Sequence, residues 1–409
     1  MTHTKHTSRI RTLTQAVPII AMALAIGACG NNDDDDSAGV INGTSDNIGT
    51  AVFASRASFE TGQVQRLSIS GGDVLDGAYE ATGGDIVVAT DGTSVYQLGR
   101  FLIDNITKYS LDDVTTPIYQ RSVAGMEASA NPHDIVFVNE TKAYLIRYDS
   151  PAVWIVDPSA DSDELFKTGE LDLSAYDVND ATPEPNSAVI IGDRLYIGME
   201  RLDRVNFAPS FQPVQSGYVA VFDTTTDEEI DTGMGVDDNL MGIPVGVENP
   251  NTLQYSESDG MLYVTGRGKF FGADDSNGDR YTGGVVRIDP ETFTTELVVE
   301  DGTEDENINF LSNILPVSAT KAYVLTYETF GVTTLHELNL LTGELSEEPV
   351  AGLDSVDVTL MALGPNNRVW IGLNSENPGF MLLDPADNSV LNPLIPTTLT
   401  PINVVFITE

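Results

Sequence analysis

The stretch that decides the fold is Leu262-Tyr263-Val264-Thr265-Gly266, followed after a long loop by Val286-Arg287-Ile288-Asp289 and the turn Pro290-Glu291-Thr292. Short runs of Val, Ile, Leu and Tyr predict strands, and the Asp-Pro step and the threonine predict the turn that ends the second one. A loop between two such strands is typical of an antiparallel pair. The same pair recurs along the chain.

The first strand of the pair carries an aromatic residue near its start, which we call the landmark aromatic. Its other copies are Ala143-Tyr144-Leu145-Ile146, Leu195-Tyr196-Ile197-Gly198, Ala322-Tyr323-Val324-Leu325, Val369-Trp370-Ile371-Gly372 and, in degenerate form, Val95-Tyr96-Gln97-Leu98. The second strand closes on an acidic or amide turn. Its other copies are Trp154-Ile155-Val156-Asp157, Ala220-Val221-Phe222-Asp223, His336-Glu337-Leu338-Asn339 and Met381-Leu382-Leu383-Asp384, with weaker ones at Arg66-Leu67-Ser68-Ile69 and Lys108-Tyr109-Ser110-Leu111.

An apolar strand precedes each pair and a weaker polar strand follows it, so seven units of four strands result. A repeat of roughly 40 to 65 residues with four strands predicts an all-β fold, a seven-bladed β-propeller of four-stranded antiparallel blades. A pair of β-sandwiches is the alternative, but seven units in phase fit it poorly. The predicted blades are residues 48–82, 83–131, 132–184, 185–249, 250–307, 308–355 and 356–398.

The two chain ends are predicted to meet in blade 1, which is one strand short. Residues 402–407 at the C-terminus form an apolar strand with no blade of its own. We expect this strand to complete blade 1 and close the ring, because an open ring would leave two sheet edges unpaired.

Composition excludes one class of partner. The 409 residues include 62 Asp and Glu against 20 Lys and Arg, a formal net charge of −42. A nucleic acid would gain no binding energy from counterion release on so acidic a surface, so nucleic acid is excluded as a partner. Hydrophobic residues make up 41% of the chain, which indicates a folded protein and not an acidic disordered one. The acidic surface is interpreted as an adaptation that keeps the protein soluble or suits it to a salt-rich environment.

The N-terminal residues are predicted to be a targeting signal. Residues 1–28 carry a basic start and a short apolar run, which is typical of a secretory signal peptide. The Ile26-Gly27-Ala28-Cys29 stretch resembles the lipobox of bacterial lipoproteins, which implies lipidation of Cys29, the single cysteine of the chain. In such lipoproteins an Asp directly after the cysteine implies retention in the inner membrane. This chain has Gly30 at that position, so location in the outer membrane is favoured. Residues 29–47 are predicted to be an acidic flexible tether, and residues 48–409 the propeller.

The repeat itself resembles a known family. The Leu-Tyr-Val-Thr-Gly at 262–266 with its aspartate-closed strand, and Pro132-His133-Asp134-Ile135 at the start of another unit, are similar to the YVTN-type β-propeller repeat. The resemblance covers nearly all of the chain after the tether. Propellers of this kind include binding proteins, scaffolds, lactonases and quinoprotein enzymes, so the family leaves the function open.

Ligands of propellers are usually held around the central channel, where the inner strands begin. Counting back 10 to 13 residues from each landmark predicts a polar ring of channel-mouth residues: Asp85, His133, Asn186, Asn251, Ser312 and Asp357. The alternative is that these residues only satisfy the backbone of their own turns.

A second position of the repeat carries arginines, three to five residues past the landmark: Arg56, Arg100, Arg147, Arg201 and Arg267. The landmark of blade 1 is taken to be Phe53. Converging guanidinium groups predict a site for a carboxylate or phosphate. The alternative is structural, each arginine pairing with an Asp of a neighbouring blade. An anion site predicts that alanine at Arg147 and Arg201 abolishes ligand retention but leaves melting nearly unchanged, whereas a structural role predicts a large loss of stability.

Two long loops provide candidates for a lid and for a calcium site beside the arginines. Residues 203–216 and 269–283 contain aromatic residues that could form a lid. The second loop also contains alternating oxygen ligands at Asp275, Asn277 and Asp279, which resemble the start of a calcium loop. The glycine position and the lack of a distal Glu exclude an EF-hand. Calcium is therefore a possible cofactor, and a solvated acidic turn is the alternative.

Catalytic machinery is sparse in the sequence after residue 28. Only His133 and His336 remain as histidines, there is no Gly-x-Ser-x-Gly elbow, and no Cys-x-x-Cys-His haem motif. Trp154 and Trp370 lie within strands and are predicted to be core residues. The favoured function is non-enzymatic binding of an anionic small molecule, or of an acidic segment of an envelope protein partner, by a protein that meets the membrane through its lipid anchor only.

Two alternative functions remain open. One is a scaffold that binds a membrane protein through the loop-rich face. The other is a calcium-dependent hydrolase of the lactonase type, with the metal held by Asp85, Asp357 and Asn side chains of the polar ring and His133 as a general base.

Overall fold

The computed structural model describes residues 49–69, 74–81, 83–126, 129–205, 212–213, 215–235, 240–269, 280–303, 305–329, 331–350, 353 and 356–408. All of them belong to one compact unit, Gly39–Glu409. Strands dominate these residues, and the helical elements are short: helix α1 at Asp163–Phe166 and 3-10 turns at Ser174–Tyr176 and Pro365–Asn367. No helix in the described ranges has the length and apolar character needed to cross a bilayer.

The strands follow the predicted units. Those of blades 1 to 3 are β1 (Gly49–Ser58), β2 (Thr61–Ser68), β3 (Val74–Ala81), β4 (Ile86–Thr90), β5 (Ser94–Gly99), β6 (Asn105–Ser110), β7 (Tyr119–Ser122), β8 (Pro132–Asn139), β9 (Lys142–Arg147), β10 (Ala152–Val156) and β11 (Lys167–Asp172). Those of blades 4 and 5 are β12 (Pro185–Ile191), β13 (Arg194–Met199), β14 (Leu202–Asp203), β15 (Gln212–Pro213), β16 (Tyr218–Asp223), β17 (Ile243–Pro244), β18 (Pro250–Ser256), β19 (Met261–Gly266), β20 (Gly284–Ile288) and β21 (Thr295–Glu300). Those of blades 6 and 7, with the closing strand, are β22 (Phe310–Ser318), β23 (Lys321–Thr329), β24 (Val332–Asn339), β25 (Asp357–Gly364), β26 (Arg368–Asn374), β27 (Gly379–Leu383), β28 (Val390–Pro396) and β29 (Thr400–Thr408).

These strands form seven antiparallel sheets, and the predicted seven-bladed propeller is confirmed. Six of the sheets have four strands. In blade 6 the fourth position is reduced to a single bridge, Leu338 to Leu345, beside the three strands β22–β24. Blade 4 carries an additional two-stranded hairpin, β14–β15, in the loop between its second and third full strands.

The ring is closed as the sequence predicts. Strand β29 pairs with β1 in antiparallel register from Gly49 opposite Thr408 to Arg56 opposite Thr400, so the C-terminal strand is the inner strand of blade 1. The last blade packs on this sheet through aromatic contacts, with 5.3 Å between the ring centroids of Trp370 and Phe406 and 5.2 Å between those of Phe380 and Phe53.

The landmark aromatics fill the spaces between blades. Tyr96 packs with Ile135 and Leu145 of blade 3, and Tyr144 packs with Leu195 of blade 4. Each landmark thus reaches the core shared with the following blade. Trp154 and Trp370 are buried, as predicted for core residues.

The landmark assigned to blade 1 is wrong by one residue. Phe53 packs back against Trp370 and Phe380 of blade 7, whereas Val52 belongs to the core shared with blade 2. Successive residues of a strand point to opposite faces, so the residue in phase with the landmark tyrosines is Val52. The spacing rule failed here because blade 1 has no aromatic residue at that position.

The inner strands have one sheet edge without a neighbouring strand, and side chains of adjacent blades bind the exposed backbone groups there. Asn403 Oδ1 accepts a hydrogen bond from Val88 N at 2.7 Å, from blade 1 to blade 2. Asp134 Oδ2 accepts one from Ala188 N at 3.0 Å, from blade 3 to blade 4. Thr359 Oγ1 donates to Pro401 O at 2.6 Å, from blade 7 to blade 1. Since an unpaired buried backbone group is costly, these clamps contribute to the geometry of the ring.

The clamp at Asp134 generates a prediction about pH. Burial raises the pKa of Asp134 from 3.8 to about 6, although the Ala188 and Ile135 amides oppose the shift. The folded state therefore holds this proton more tightly than the unfolded chain, and the stabilisation is complete only below pH 3.8 and is lost as the pH rises through 6. The free energy of unfolding of Asp134→Asn should rise relative to that of the unmodified chain when the pH is raised from 4 to 7.5, by up to roughly 3 kcal/mol. Urea unfolding of both proteins at both pH values measures this change. A difference between Asp134→Asn and the unmodified chain that is the same at both pH values would contradict the prediction.

Candidate functional site

The candidate site lies at the edge of the ring where the inner strands begin and the second strands of the blades end, which we call the funnel mouth. Four of the six predicted channel-mouth residues occupy β-bulges there, because the strand register skips one residue at each. These residues are His133, Asn186, Asn251 and Ser312. A bulge turns its extra residue out of the regular ladder, a device that is frequent beside binding sites.

The other two predicted positions are regular. Asp85 immediately precedes β4, and Asp357 pairs with Asn374 at the start of blade 7. The bulge of blade 7 falls instead at Thr359, and that of blade 1 at Ile402. All six predicted residues therefore lie at the beginnings of inner strands.

A second ring is formed by the residue four positions after each landmark, where the second strand leaves the sheet. We call it the exit ring, and it consists of Arg56, Arg100, Tyr148, Glu200, Arg267, Tyr327 and Asn374. Four of its members were missed by the sequence analysis: Tyr148, Glu200, Tyr327 and Asn374. A fixed spacing of four residues, without the requirement for arginine, would have found them.

Hydrogen bonds link the two rings across blades 2 to 4. Arg100 Nη2 lies 2.9 Å from His133 Nε2, and His133 Nδ1 lies 3.3 Å from Asn186 Oδ1. Arginine can only donate, so Nε2 is the acceptor and Nδ1 carries the proton that is donated to Asn186. Glu200 accepts from Asn186 Nδ2 and, at 2.6 Å, from the Tyr148 hydroxyl. The His133 ring stacks on Tyr148 with 4.2 Å between centroids, which completes the link.

The side chains also influence one another across the channel. Burial lowers the pKa of His133 well below its ordinary range, and the charges of Arg100 and Arg267 lower it further, so this histidine is neutral. Burial lowers the pKa of Arg267, which the charge of Glu200 opposes. Blades 2, 3, 4 and 5 therefore bring these residues together at one place.

The acidic groups of the funnel mouth are held by protein donors. Asp85 lies 3.6 Å from Arg100 Nε, and Asp357 accepts from Thr333 Oγ1 at 3.3 Å and Asn374 Nδ2 at 3.0 Å. Asn251 and Ser312 are likewise engaged, since Asn251 Nδ2 donates to Ser312 O at 2.6 Å and Ser312 Oγ to Leu325 O at 3.1 Å. These two side chains bind backbone carbonyls of the next blade and of the neighbouring strand, and not those of their own turns.

Arg56 stands apart from these groups. Its guanidinium lies 4.3 Å above the Phe59 ring, and within the described ranges no acceptor lies at hydrogen-bonding or ion-pair distance from it. Burial lowers its pKa, the charges of Asp85 and Asp357 oppose this, and the charge of Arg100 adds to it. Arg56 is thus a half-buried cation within electrostatic range of a second cation, Arg100.

The structure separates Arg147 and Arg201 from the other arginines, and the expectation that all five converge is wrong. Arg147 is fully buried above Trp154 and donates to Val123 O at 3.0 Å and Ala124 O at 2.6 Å. Arg201 donates to Tyr176 O at 2.9 Å and Ser216 O at 3.1 Å. Both fasten the connection that arrives from the preceding blade.

The reason for the separation is the spacing from the landmark. Arg100 and Arg267 follow their landmark tyrosines by four residues, and Arg56 follows Val52 by four, but Arg147 and Arg201 follow theirs by three and five. A shift of one residue along a strand moves a side chain to the opposite face. Arg147 and Arg201 therefore donate to backbone carbonyls of the connections beside their blades.

A buried ion-pair network supports the blade 4 side of the mouth. Arg204 lies 2.7 Å from both Asp149 and Glu184, and its guanidinium lies 5.2 Å from the Tyr148 ring. Burial raises the pKa of Glu184, and the charge of Arg204 limits that rise. The network holds Tyr148 in place, and no sequence pattern pointed to it.

A cavity of about 960 Å³ continues from the mouth along the inner strands. Its lining is mixed, with polar residues such as Asp134, Asn251 and Gln254 and apolar residues such as Val189 and Leu253. Among the described residues, no three His, Cys, Asp or Glu side chains are grouped so that they could hold a metal ion.

Several predicted sites cannot be compared with the structure. Cys29 and the calcium candidates Asp275, Asn277 and Asp279 lie outside the described residues. Of the aromatic residues in the two long loops, Tyr281 is described, and it stacks on Phe310 with 4.9 Å between centroids.

Comparison with a solved structure agrees with the fold. A candidate 6-phosphogluconolactonase from Bacteroides uniformis is 12% identical with a TM-score of 0.59, and the match covers 88% of this chain and 99% of that chain. Apo AztD from Citrobacter koseri is 13% identical with a TM-score of 0.49, covering 88% of this chain and 98% of that one. No protein-family model and no curated protein sequence matches the chain. At these identities the likeness shows the architecture alone.

The two environments of arginine generate a prediction about stability. Arg147→Ala should lower the free energy of unfolding by at least about 3 kcal/mol, because two buried carbonyls lose charged donors, whereas Arg100→Ala should cost about 1 kcal/mol. Urea unfolding of both variants measures the difference. Equal losses for the two variants would show that Arg147 is not the structural clamp inferred from its contacts.

Proposed function

We propose that this chain is a YVTN-type propeller lipoprotein of the bacterial outer membrane whose funnel mouth binds an anionic small molecule without transforming it chemically. The observation that carries the proposal is the state of Arg56, a half-buried guanidinium with no protein acceptor among the described residues and with Arg100 beside it. A bound carboxylate or phosphate would supply the missing acceptor.

The chemistry of the surrounding groups favours an anion. A guanidinium presents paired donors that match the two oxygens of a carboxylate or phosphate. Two adjacent cations repel each other in a partly desolvated site, and an anion between them relieves that repulsion. The charges of Asp85 and Asp357 offset part of this repulsion, but their side chains bond to other groups, Asp85 to Arg100 and Asp357 to Thr333 and Asn374, so neither carboxylate is a direct acceptor for Arg56.

The alternatives receive less support. An acidic segment of a protein partner would use the same arginines, and it remains the second form of the ligand. The lactonase type of hydrolase requires a metal held by Asp85 and Asp357, but these residues have other partners and no three-ligand group occurs in the described part of the chain. The proposal of a loop-face scaffold has no specific contact in its favour.

The envelope location rests on sequence motifs. The basic and apolar segment up to Ala28, the lipobox-like residues before Cys29, Gly30 after it and the acidic stretch to residue 47 are together typical of a lipoprotein with a tether. Several acyl chains on one cysteine would anchor the chain firmly, at about 0.8 kcal/mol for each buried methylene.

Removing the two adjacent cations should remove the ligand. In the double variant Arg56→Gln and Arg100→Gln, we expect at least tenfold weaker retention, since each lost charged hydrogen bond is worth about 1.5 to 3 kcal/mol. Native mass spectrometry of the protein purified from its own cells measures the fraction with a bound anion. Arg287→Gln, which removes the same charge from a pair with Glu296 on blade 5, serves as control. Equal occupancy in the double variant and the control would refute the anion site.

Lipid attachment has its own test. Cells supplied with a labelled palmitate analogue should incorporate the label into the chain, and Cys29→Ser should lose it and move to the soluble fraction. Gly30→Asp should keep the label but fractionate with the inner membrane. Label retained by Cys29→Ser would contradict lipidation at this residue.

A further inference from the structure

Three large apolar side chains are exposed in the two turns that follow Arg56 and Arg100. Phe59 is 61% exposed, Phe101 56% and Leu102 69%. Phe59 lies in the turn between β1 and β2, three residues after Arg56, and the other two follow Arg100 in the turn between β5 and β6. We call these three residues the apolar lip.

The two turns rest on the same piece of backbone. Phe59 O accepts a hydrogen bond from Gly84 N at 2.9 Å. On the other side, Ile103 packs so closely on Gly83 that a Cβ at that glycine would lie 2.6 Å from Ile103 Cδ1. The second turn is itself fixed, because the amides of Ile103 and Asp104 both bond to Arg100 O, at 2.8 and 3.0 Å. The lip is therefore a defined feature of blades 1 and 2 at the funnel mouth.

The lip and the arginines are also in direct contact, since the guanidinium of Arg56 lies over the Phe59 ring at 4.3 Å. An anion held by Arg56 and Arg100 would have this apolar surface as its neighbour. Exposed aromatic and leucine side chains in a group are unfavourable in water and commonly mark a binding site. Three side chains are too few for a protein interface, which covers about 800 Å² on each partner, but they match one ring or one branched alkyl group.

We propose that the ligand of the funnel mouth is an amphiphilic carboxylate, with its anionic group on Arg56 and Arg100 and an attached aromatic or branched apolar group on the lip formed by Phe59, Phe101 and Leu102. The inference rests on the proposed anion-binding function and deepens it by naming the class of ligand. Arg267, across the channel, adds positive charge near the same place.

The class of ligand can be tested with three simple probes on the full chain by isothermal titration calorimetry. The probes are propionate, 3-phenylpropionate and the uncharged 3-phenylpropanol. We expect 3-phenylpropionate to bind roughly tenfold more tightly than propionate, because the phenyl ring buries apolar surface on the lip. We expect 3-phenylpropanol to bind more weakly than 3-phenylpropionate, because it has no charge for the arginines.

A lip variant separates the two parts of the ligand. In the double variant Phe101→Ser and Leu102→Ser, which leaves the Phe59 ring under Arg56 in place, the advantage of 3-phenylpropionate should largely disappear while propionate binds within about twofold of its original affinity, which also shows that the variant is folded. Leu165→Ser, at a residue of helix α1 that is 64% exposed, is the matched control and should change neither affinity.

The possible results distinguish failure of the amphiphilic-ligand proposal from failure of the anion-binding function on which it rests. Equal affinities for propionate and 3-phenylpropionate, unchanged in the lip variant, would overturn the amphiphilic ligand and leave the anion site intact. Binding of 3-phenylpropanol as tight as that of 3-phenylpropionate would overturn the role of the arginines. Binding of none of the probes at millimolar concentration would overturn the anion site and the lip together.

Discussion

The antiparallel pairing of β29 with β1 is the constraint on which the other features of this protein depend. It joins the two ends of the propeller in one sheet, from Gly49 opposite Thr408 to Arg56 opposite Thr400. Closing the ring removes the sheet edges that an open array would expose. It also places Arg56, at the end of β1, in the same ring as the equivalent residues of the other blades, so the candidate site exists only in the closed ring.

Within that ring, small irregularities of the inner strands shape the site. The inner strands begin with bulges at His133, Asn186, Asn251 and Ser312, while Asn403 and Asp134 bind backbone amides of the neighbouring blade. A propeller made only of regular strands would form all backbone hydrogen bonds between its strands, but it would not turn these polar side chains toward the funnel mouth. The polar mouth and the contacts between blades thus come from neighbouring residues of the inner strands, such as His133 and Asp134.

The contrast between Arg56 and Arg147 summarises the relation of structure to proposed function. Arg147 is fully buried and bonded to carbonyls of the connection before blade 3, so its charge serves the fold. Arg56 lies over Phe59 without an acceptor in the described ranges and next to Arg100, so its charge is available to a ligand. In a chain with a net charge of −42, such a local cationic group attracts an anion only at short range, where its donors can make direct bonds.

The sequence by itself determined the class of fold, the number of blades, the strand that closes the ring and the position of the polar ring, because each rests on a periodic pattern of apolar and turn residues that local physics imposes. It also showed that arginines cluster at one position of the repeat. Only the tertiary structure decided which arginines face the mouth, since a spacing of three, four or five residues from the landmark selects opposite faces of a strand. Phe53 was misassigned for the same reason, and Tyr148, Glu200 and the Arg204 network were invisible beforehand, because their partners come from different blades that only the closed ring brings together.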